Sequence, residues 1–295
     1  MSNSIHSSAE ISKNFDQKTM AVVAHKGYKI EKKLGAGAFG VVFKAVKRNG
    51  QLAAVKVINL DKMSENSRKK FLPREIQAQI DCKHENLIEV FDIFRASKKL
   101  YIFMEFAANG DITGFARKHN GITEKLACQW FLQVSNGLAY LHIQMATAHR
   151  DIKTDNMLLD AKYIAKLSDF GFAKECTDKA TNKVVMSTTF CGTLPYEAPQ
   201  ILEHKPYNAF KADIWSMGVT FFVMFHDRFP FPFRGGKSTM LRYMANWPQY
   251  IRSRYTKRLP KEANKFVEDM LNPDENRRCS INELIHNAWL QNNCT

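Results

Sequence analysis

The most informative stretch of this sequence is His149-Arg150-Asp151-Ile152-Lys153-Thr154-Asp155-Asn156, and Asp169-Phe170-Gly171 follows eighteen residues after Asp151. Phosphoryl transfer needs one carboxylate to orient the attacking hydroxyl and accept its proton, and oxygen ligands for Mg²⁺. Asp151 fits the first role, while Asn156 and Asp169 fit the second. Acidic and amide residues in a loop usually form only a turn, but this order and spacing rarely arise by chance.

A glycine-rich run lies upstream, at Gly35–Val42 (GAGAFGVV), between two β-type segments. A dinucleotide fingerprint would place these glycines at the start of a helix, yet the residues that follow, GVVFKAV, are strand-like. The run therefore favours a strand–turn–strand flap over phosphates. Lys56, in a strand of apolar neighbours, is interpreted as a cation held against those phosphates, and Glu75 as its partner. Taken singly, each residue is more often a surface charge.

The remaining pattern divides into two parts, with a hinge at Phe106–Gly110 (FAANG). Before the hinge, β-type runs at 28–34, 40–46, 52–60 and 100–106 surround a helical stretch at 71–80. After it, helical periodicity covers 125–142, 209–225 and 261–271. The predicted fold class is α+β, with a small antiparallel β lobe carrying one helix and a larger, mostly helical lobe.

Composition limits the function classes. The 295 residues are 45% apolar, enough for a substantial core, and the formal charge of +14 favours anionic partners. The longest apolar run, 214–225, is too short to span a membrane and predicts a buried helix. Six dispersed cysteines and a polar amino terminus without a signal pattern predict an intracellular protein, cytoplasmic or nuclear.

Over residues 28–290 the sequence resembles the protein kinases, because the glycine-rich run, AAVK, HRDIKTDN and DFG occur in the family's order. Among them it is most similar to the testis-specific serine/threonine kinases, through FLPREI, KLSDFGFAK, TTFCGT and ADIWSMGV. The resemblance implies a two-lobed kinase fold, with an N-lobe at 28–106 and a C-lobe at 107–290. A disordered polar tail at 1–27 and a short tail at 291–295 are expected to flank it.

The resemblance implies ATP and Mg²⁺ as cofactors and proteins with Ser or Thr acceptors as substrates. It assigns the metal to Asn156 and Asp169, and catalysis to Asp151, Lys153, Lys56 and Glu75. The nucleotide-binding residues that it implies are Gly35, Ala36, Gly37, Ala38, Phe39, Gly40, Val42, Ala54, Lys56, Met104, Glu105, Ala107, Asp111 and Leu158.

The resemblance also specifies the acceptor and the catalytic loop. Lys153, two residues after Asp151, is typical of serine/threonine kinases, although dual specificity stays open. Thr193 is expected to hydrogen-bond into the same site. Asp213 is expected to accept hydrogen bonds from the catalytic-loop backbone and fix its shape.

By the same resemblance, 169–200 is the activation loop, phosphorylated by an upstream kinase or by autophosphorylation. Thr189, near Ser187 and Thr188, is the expected site because Arg150 and Lys174 would face its phosphate. Arg74 could add a third cation. Without those cations, the three hydroxyl residues would be ordinary turn residues.

Two positions depart from the family pattern. Gln200 replaces the glutamate of A-P-E, which normally pairs with an arginine near the C-terminus, here Arg278. A nearby carboxylate such as Glu197 could compensate for it. Gln79 stands where an aliphatic residue usually stacks on the DFG phenylalanine, which predicts a less populated active state.

Substrate choice is predicted to be basophilic, since Asp111 and Asp155 would face an arginine three residues before the acceptor. Val223 replaces a glutamate that some relatives use for arginine two before the acceptor. The alternatives are a kinase-like scaffold with weak activity, which typically lacks a phosphoryl-transfer residue, and a nucleic-acid binder, which predicts steeply salt-dependent affinity. No stable nucleic-acid partner is expected.

Overall fold

The computed structural model describes residues 16–37, 40–62, 80–178, 180–256 and 260–294. The chain forms two compact units, the first comprising Met1–Lys83 with Ile88–Ala107 and the second His84–Leu87 with Ala108–Thr295. The resemblance places residues 84–87 in the N-lobe at 28–106. These residues belong to the second unit because the Asn86 amide donates to the Ala165 carbonyl at 3.1 Å and its carbonyl accepts from Leu167.

The first unit is built on one antiparallel sheet of five strands, which lie in chain order except that the fifth strand lies between the third and the fourth. Its cross-strand register places Phe43, Val55 and Phe103 directly opposite one another on one buried face. Because side chains alternate along a strand, the neighbouring residues Val42 and Lys56 lie on the other face. The strands are β1 (Tyr28–Ala36), β2 (Gly40–Lys47), β3 (Leu52–Asn59), β4 (Val90–Ala96) and β5 (Lys99–Glu105).

The sequence pattern predicts four of these strands and gives no signal for β4. A register shift between Val90 and Asp92 breaks the alternation of buried and exposed residues in this strand. The strand forms nonetheless, because it pairs along β5 and buries Val90 and Ile93. The helical stretch predicted at 71–80 lies outside the described residues except Ile80.

The predicted disordered tail at 1–27 is wrong for its described part, since helix α1 spans Gln17–His25. Asp16 caps the helix by accepting a hydrogen bond from the Lys18 backbone. Val23 is fully buried with Tyr28 in the core of the sheet. Lys99 donates to Asp16 at 2.7 Å, so tertiary contacts hold the start of this helix as well as its apolar side.

We expect Val23→Asp to lower the melting temperature of the full chain by about 5 °C or more, because a carboxylate would be buried without a partner. The matched control is Ala24→Asp, an exposed position in the same last helical turn. Thermal denaturation followed by circular dichroism measures both. Equal shifts for the two variants would show that α1 does not dock on the sheet.

The second unit is mostly helical and contains all the longer helices predicted after the hinge. The helices predicted at 125–142, 209–225 and 261–271 are confirmed to within a few residues by α3 (Glu124–Ala139), α5 (Ala209–His226) and α8 (Lys261–Met270). Helix α5 carries the apolar run and is buried along most of its length, as predicted. The helices are α2 (Ile112–Lys118), α3 (Glu124–Ala139), α4 (Pro199–Leu202), α5 (Ala209–His226), α6 (Gly236–Met244), α7 (Gln249–Ser253), α8 (Lys261–Met270), α9 (Ile281–Ile285) and α10 (Ala288–Cys294).

Short strands and turns carry the loops of this unit. Strands β6 (Thr147–Ala148) and β9 (Lys174–Glu175) pair, as do β7 (Met157–Leu159) and β8 (Ala165–Leu167). Helix α10 buries Leu290 in the core and continues through residues 291–294 of the expected short tail. In the described part of the chain, no helix has both the length and the apolarity needed to cross a membrane.

Candidate active site

Asp151 lies at the centre of a compact hydrogen-bonded group between β6 and β7. Its Oδ2 accepts from Lys153 Nζ at 2.9 Å and from Asn156 Nδ2 at 3.1 Å. Its Oδ1 accepts from Thr193 Oγ1 at 2.7 Å, and the same hydroxyl accepts from Lys153 at 2.8 Å. The predicted hydrogen bond of Thr193 into this site is therefore confirmed. The carboxylate is 7% exposed, so its orientation is fixed by three side-chain donors.

Asp213, on helix α5, holds the backbone of the loop that carries Asp151. Its carboxylate accepts from the backbone N–H of His149 at 2.7 Å and of Arg150 at 2.8 Å. These two bonds confirm the predicted structural role. Arg150 has a φ of 67°, an unusual value for a residue with a side chain, and the buried carboxylate offsets the cost of that conformation.

Asn156 and Asp169 follow the same loop. The Asn156 amide donates to both the carbonyl and the carboxylate of Asp151, which turns its Oδ1 away from that residue. Its backbone carbonyl accepts from Ser168, the residue before Asp169. Asp169 has a φ of 65° and accepts from the Gly171 N–H at 3.3 Å. The two predicted metal ligands thus belong to loops joined by direct hydrogen bonds.

In the first unit, four of the predicted nucleotide residues, Val42, Ala54, Lys56 and Met104, share one face of the sheet. Val42 on β2 lies directly opposite Lys56 on β3, and Ala54 lies opposite Met104 on β5. This face is opposite the one covered by α1, because adjacent positions on each strand point to opposite sides. The register therefore places Lys56 on the same face as the side chains of Val42, Ala54 and Met104. Their role in nucleotide binding stays a prediction.

Glycine is required by packing at Gly40 in the glycine-rich run. A Cβ at Gly40 would lie 2.3 Å from the Val57 carbonyl oxygen, a forbidden distance, whereas at Gly35 and Gly37 it would meet nothing within 4 Å. Packing against β3 thus requires a glycine at position 40. At Gly35 and Gly37 the space beside the backbone is open. Ala38, Phe39, Arg74, Glu75 and Gln79, all singled out from the sequence, lie outside the described residues.

Asp111 and Leu158, both in the second unit, are joined by a β-bridge at the start of helix α2. Asp111 also caps that helix, because its Oδ1 accepts from the Gly114 N–H at 2.7 Å. The preceding Asn109 donates to the Leu159 carbonyl. The segment that follows the predicted hinge is thereby fixed to the strand after Asn156.

These features agree with the comparisons with known proteins. Residues 28–290 match the family described as protein kinase domain. The chain belongs to the protein kinase family. It is 35% identical to "Testis-specific serine/threonine-protein kinase 1" of Mus musculus, over 92% of this chain and 74% of that protein. It is 31% identical to "Testis-specific serine/threonine-protein kinase 4" of Homo sapiens, over 90% and 82% respectively.

More distant members of the family are also similar. "Aurora kinase" of Schizosaccharomyces pombe is 30% identical over 89% of this chain and 71% of that protein. The chain is thus an ATP-dependent protein serine/threonine kinase with the two-part α+β fold predicted from its sequence. The family generally uses ATP and Mg²⁺ and acts on proteins.

The predicted activation loop at 169–200 is anchored near Thr189. The Tyr207 hydroxyl donates to the Thr189 carbonyl at 2.9 Å, and the Arg150 side chain contacts the same tyrosine. Ser187 is buried and pairs with Tyr207 through two backbone hydrogen bonds, whereas the Thr189 side chain is exposed. Lys174 pairs with β6 two residues before Arg150. Of the three predicted hydroxyl residues, Ser187 is the least accessible.

Gln200 and Arg278 meet, as the motif position predicted. Arg278 is 1% exposed, and its Nη2 lies 3.2 Å from Gln200 Oε1. Its remaining donors face carbonyl oxygens, including that of Asn272 at 2.9 Å. Burial lowers the pKa of Arg278 to about 10, so its charge is incompletely compensated. Glu197 does not compensate for it, because it faces Lys237 at 4.0 Å instead.

Two further residues belong to the hydrogen-bonded site of this kinase and were not predicted from the sequence. His142 Nε2 lies 2.9 Å from Asp213 Oδ2, so it supports the residue that holds the loop. Thr154, inside the motif HRDIKTDN, is 4% exposed and contacts two other hydroxyl side chains. The signal for His142 was a polar side chain inside a long apolar helix; Thr154 gave no signal, because threonine is common in turns.

Proposed function

We propose that this kinase phosphorylates serine and threonine in basic protein segments, that Asp151 orients the acceptor hydroxyl, and that phosphorylation of Thr189 activates it. One observation carries the catalytic assignment. Asp151 is a buried carboxylate held by Lys153 and Thr193, so one oxygen atom can take a hydroxyl proton without changing position. Lys153 would neutralise charge on the phosphoryl group in transfer.

The nucleotide would be held mainly by residues of the first unit. Lys56 would bind the α- and β-phosphates, with Glu75 as its partner. Val42, Ala54 and Leu158 are the proposed contacts for the adenine. The remaining proposed nucleotide contacts are Gly35, Ala36, Gly37, Ala38, Phe39, Gly40, Met104, Glu105, Ala107 and Asp111.

Asn156 and Asp169 fit a magnesium site. Both offer hard oxygen donors, and the Asn156 Oδ1 is set apart from the amide nitrogen that serves Asp151. Among the described residues no group of three His, Cys, Asp or Glu side chains is assembled for a metal. Two protein ligands with phosphate oxygens are the usual pattern for Mg²⁺, which neutralises phosphate charge when bound.

Asp111 and Asp155 are the proposed contacts for an arginine three residues before the acceptor. Asp155 is exposed, and Asp111 is half-buried at the start of α2. The test compares two peptides that differ only in Arg or Gln at that position. We expect kcat/KM to fall by at least about tenfold with glutamine. Equal use of the two peptides, or a preference for acidic ones, would contradict the basophilic assignment.

Thr189→Ala is expected to lower activity toward peptides by roughly tenfold, because a phosphate at this exposed residue would pair with Arg150 and Lys174 and order the segment. Thr188→Ala, a change at the adjacent exposed residue, is the matched control. Activity is measured before and after phosphatase treatment. If the phosphatase-treated enzyme is fully active, Thr189 does not regulate it.

A further inference from the structure

A chain of three hydroxyl groups passes through the catalytic loop at Thr154. Thr113 Oγ1 donates to Thr154 Oγ1 at 2.8 Å, and Thr154 Oγ1 lies 3.2 Å from the Tyr196 hydroxyl. Thr154 and Tyr196 are 4% and 5% exposed. Each buried hydroxyl therefore has a protein partner, and the three residues come from segments that are distant in sequence.

The chain of hydroxyls joins the elements that carry the proposed substrate contacts. Thr113 belongs to the first turn of α2, the helix that Asp111 caps. Thr154 lies between Lys153 and Asp155 in the catalytic loop. Moving Thr154 would therefore move the carboxylates at Asp111 and Asp155 relative to each other.

The third hydroxyl ties this pair to the segment that contacts Asp151. Tyr196 ends the turn that begins after Thr193, and its backbone N–H donates to the Thr193 carbonyl at 2.8 Å. Ser216 of α5 donates to the Tyr196 carbonyl at 2.9 Å, and the Phe229 ring packs edge-on against its ring. Tyr196 is thus held on three sides, and its hydroxyl bonds to that of Thr154.

Tyr196 stays neutral over the working pH range. Burial raises its pKa to about 12. A neutral phenol both donates and accepts, and a threonine hydroxyl has one donor and two acceptor sites. Thr154 can therefore accept from Thr113 and share a second hydrogen bond with Tyr196 at once.

We propose that Thr154 is a positioning residue for the substrate peptide, which sets the placement of Asp111 and Asp155 relative to the acceptor site at Asp151. The proposal rests on the assignment of these two carboxylates to a substrate arginine. It adds a determinant of specificity that lies beneath the substrate surface and does not touch the substrate.

Thr154→Val keeps the shape of the side chain and removes both hydrogen bonds. We expect it to raise the KM for the arginine-containing peptide by about tenfold, with a much smaller change in kcat and in the KM for ATP. The effect should be several times smaller for the peptide with glutamine in place of arginine. Thr154→Ser should restore the KM, and Tyr196→Phe, which removes one bond only, should give an intermediate value.

Thr239→Val, a change at a surface threonine whose hydroxyl bonds within its own helix, is the control for a generic loss of a hydroxyl. The proposal is overturned if Thr154→Val lowers kcat for both peptides in proportion to a fall in melting temperature, or if serine does not restore the KM. A wild-type enzyme that uses both peptides equally would refute the arginine assignment. In that case a KM rise common to both peptides would still support positioning by Thr154.

Discussion

Replacing Asp151 with asparagine is expected to lower kcat by at least about 10²-fold while leaving ATP affinity nearly unchanged. Asparagine keeps the size of the side chain, but an amide cannot accept a proton. It also replaces one of the two oxygens that accept from Lys153 and Thr193 with a donor. The measurement is steady-state kinetics on a peptide substrate, with ATP binding followed separately by calorimetry.

The control for this experiment is Glu203→Gln, which removes an exposed carboxylate paired only with Lys205 among the described residues. Its kinetics should match those of the wild-type enzyme. An Asp151→Asn variant with wild-type turnover would remove the catalytic role of this residue, whatever its effect on stability.

Gln200→Glu is expected to stabilise the protein by about 1 kcal/mol, because it gives the buried Arg278 an ionic partner at 3.2 Å. This gain in stability is limited by a second contact of the Gln200 side chain. Gln200 Nε2 now donates to the Pro273 carbonyl at 2.6 Å, and a carboxylate would lose that bond. Arg278 Nη2 already lies 3.4 Å from the same carbonyl and can replace the lost donor.

A double-mutant cycle separates these effects. With leucine at Arg278, Gln200→Glu should destabilise the protein, since the carboxylate would be buried alone, so the coupling energy should reach about 3 kcal/mol. Arg277→Leu, a change at the adjacent and largely exposed arginine, is the control and should show almost no coupling. A coupling energy near zero for Arg278 would mean that the two side chains do not share a site.

The parts of the site that were predictable are those fixed by local spacing. HRDIKTDN and DFG place Asp151, Asn156 and Asp169 in loops whose chemistry follows from the residue types. The pairing of Gln200 with Arg278 was also predictable, because the resemblance defined both positions. Several such motifs rarely occur in this order by chance. Together they therefore predict the site more specifically than any single residue does.

The features that were missed depend on contacts between distant segments. Helix α1 follows the polar, serine-rich residues 1–15, and it is held by the docking of Val23 and the ion pair of Asp16 with Lys99. Strand β4 contains a bulge that interrupts its alternation. Thr154 gained its importance only when folding brought Thr113 and Tyr196 to it. Single-sequence patterns carry no record of such tertiary partners.

The most direct test of the account is transfer of the labelled γ-phosphate of ATP to peptides that are identical except for Ser, Thr, Tyr or Ala as the acceptor. Thr189 is first phosphorylated, by incubation of the full chain with Mg-ATP alone or with an activating kinase, and mass spectrometry verifies this. We predict strong labelling of the Ser and Thr peptides, little of the Tyr peptide, none of the Ala peptide, and loss of all labelling with Asp151→Asn. Labelling that persists in the Asp151→Asn variant, or a wild-type enzyme that labels none of the peptides, would contradict the account.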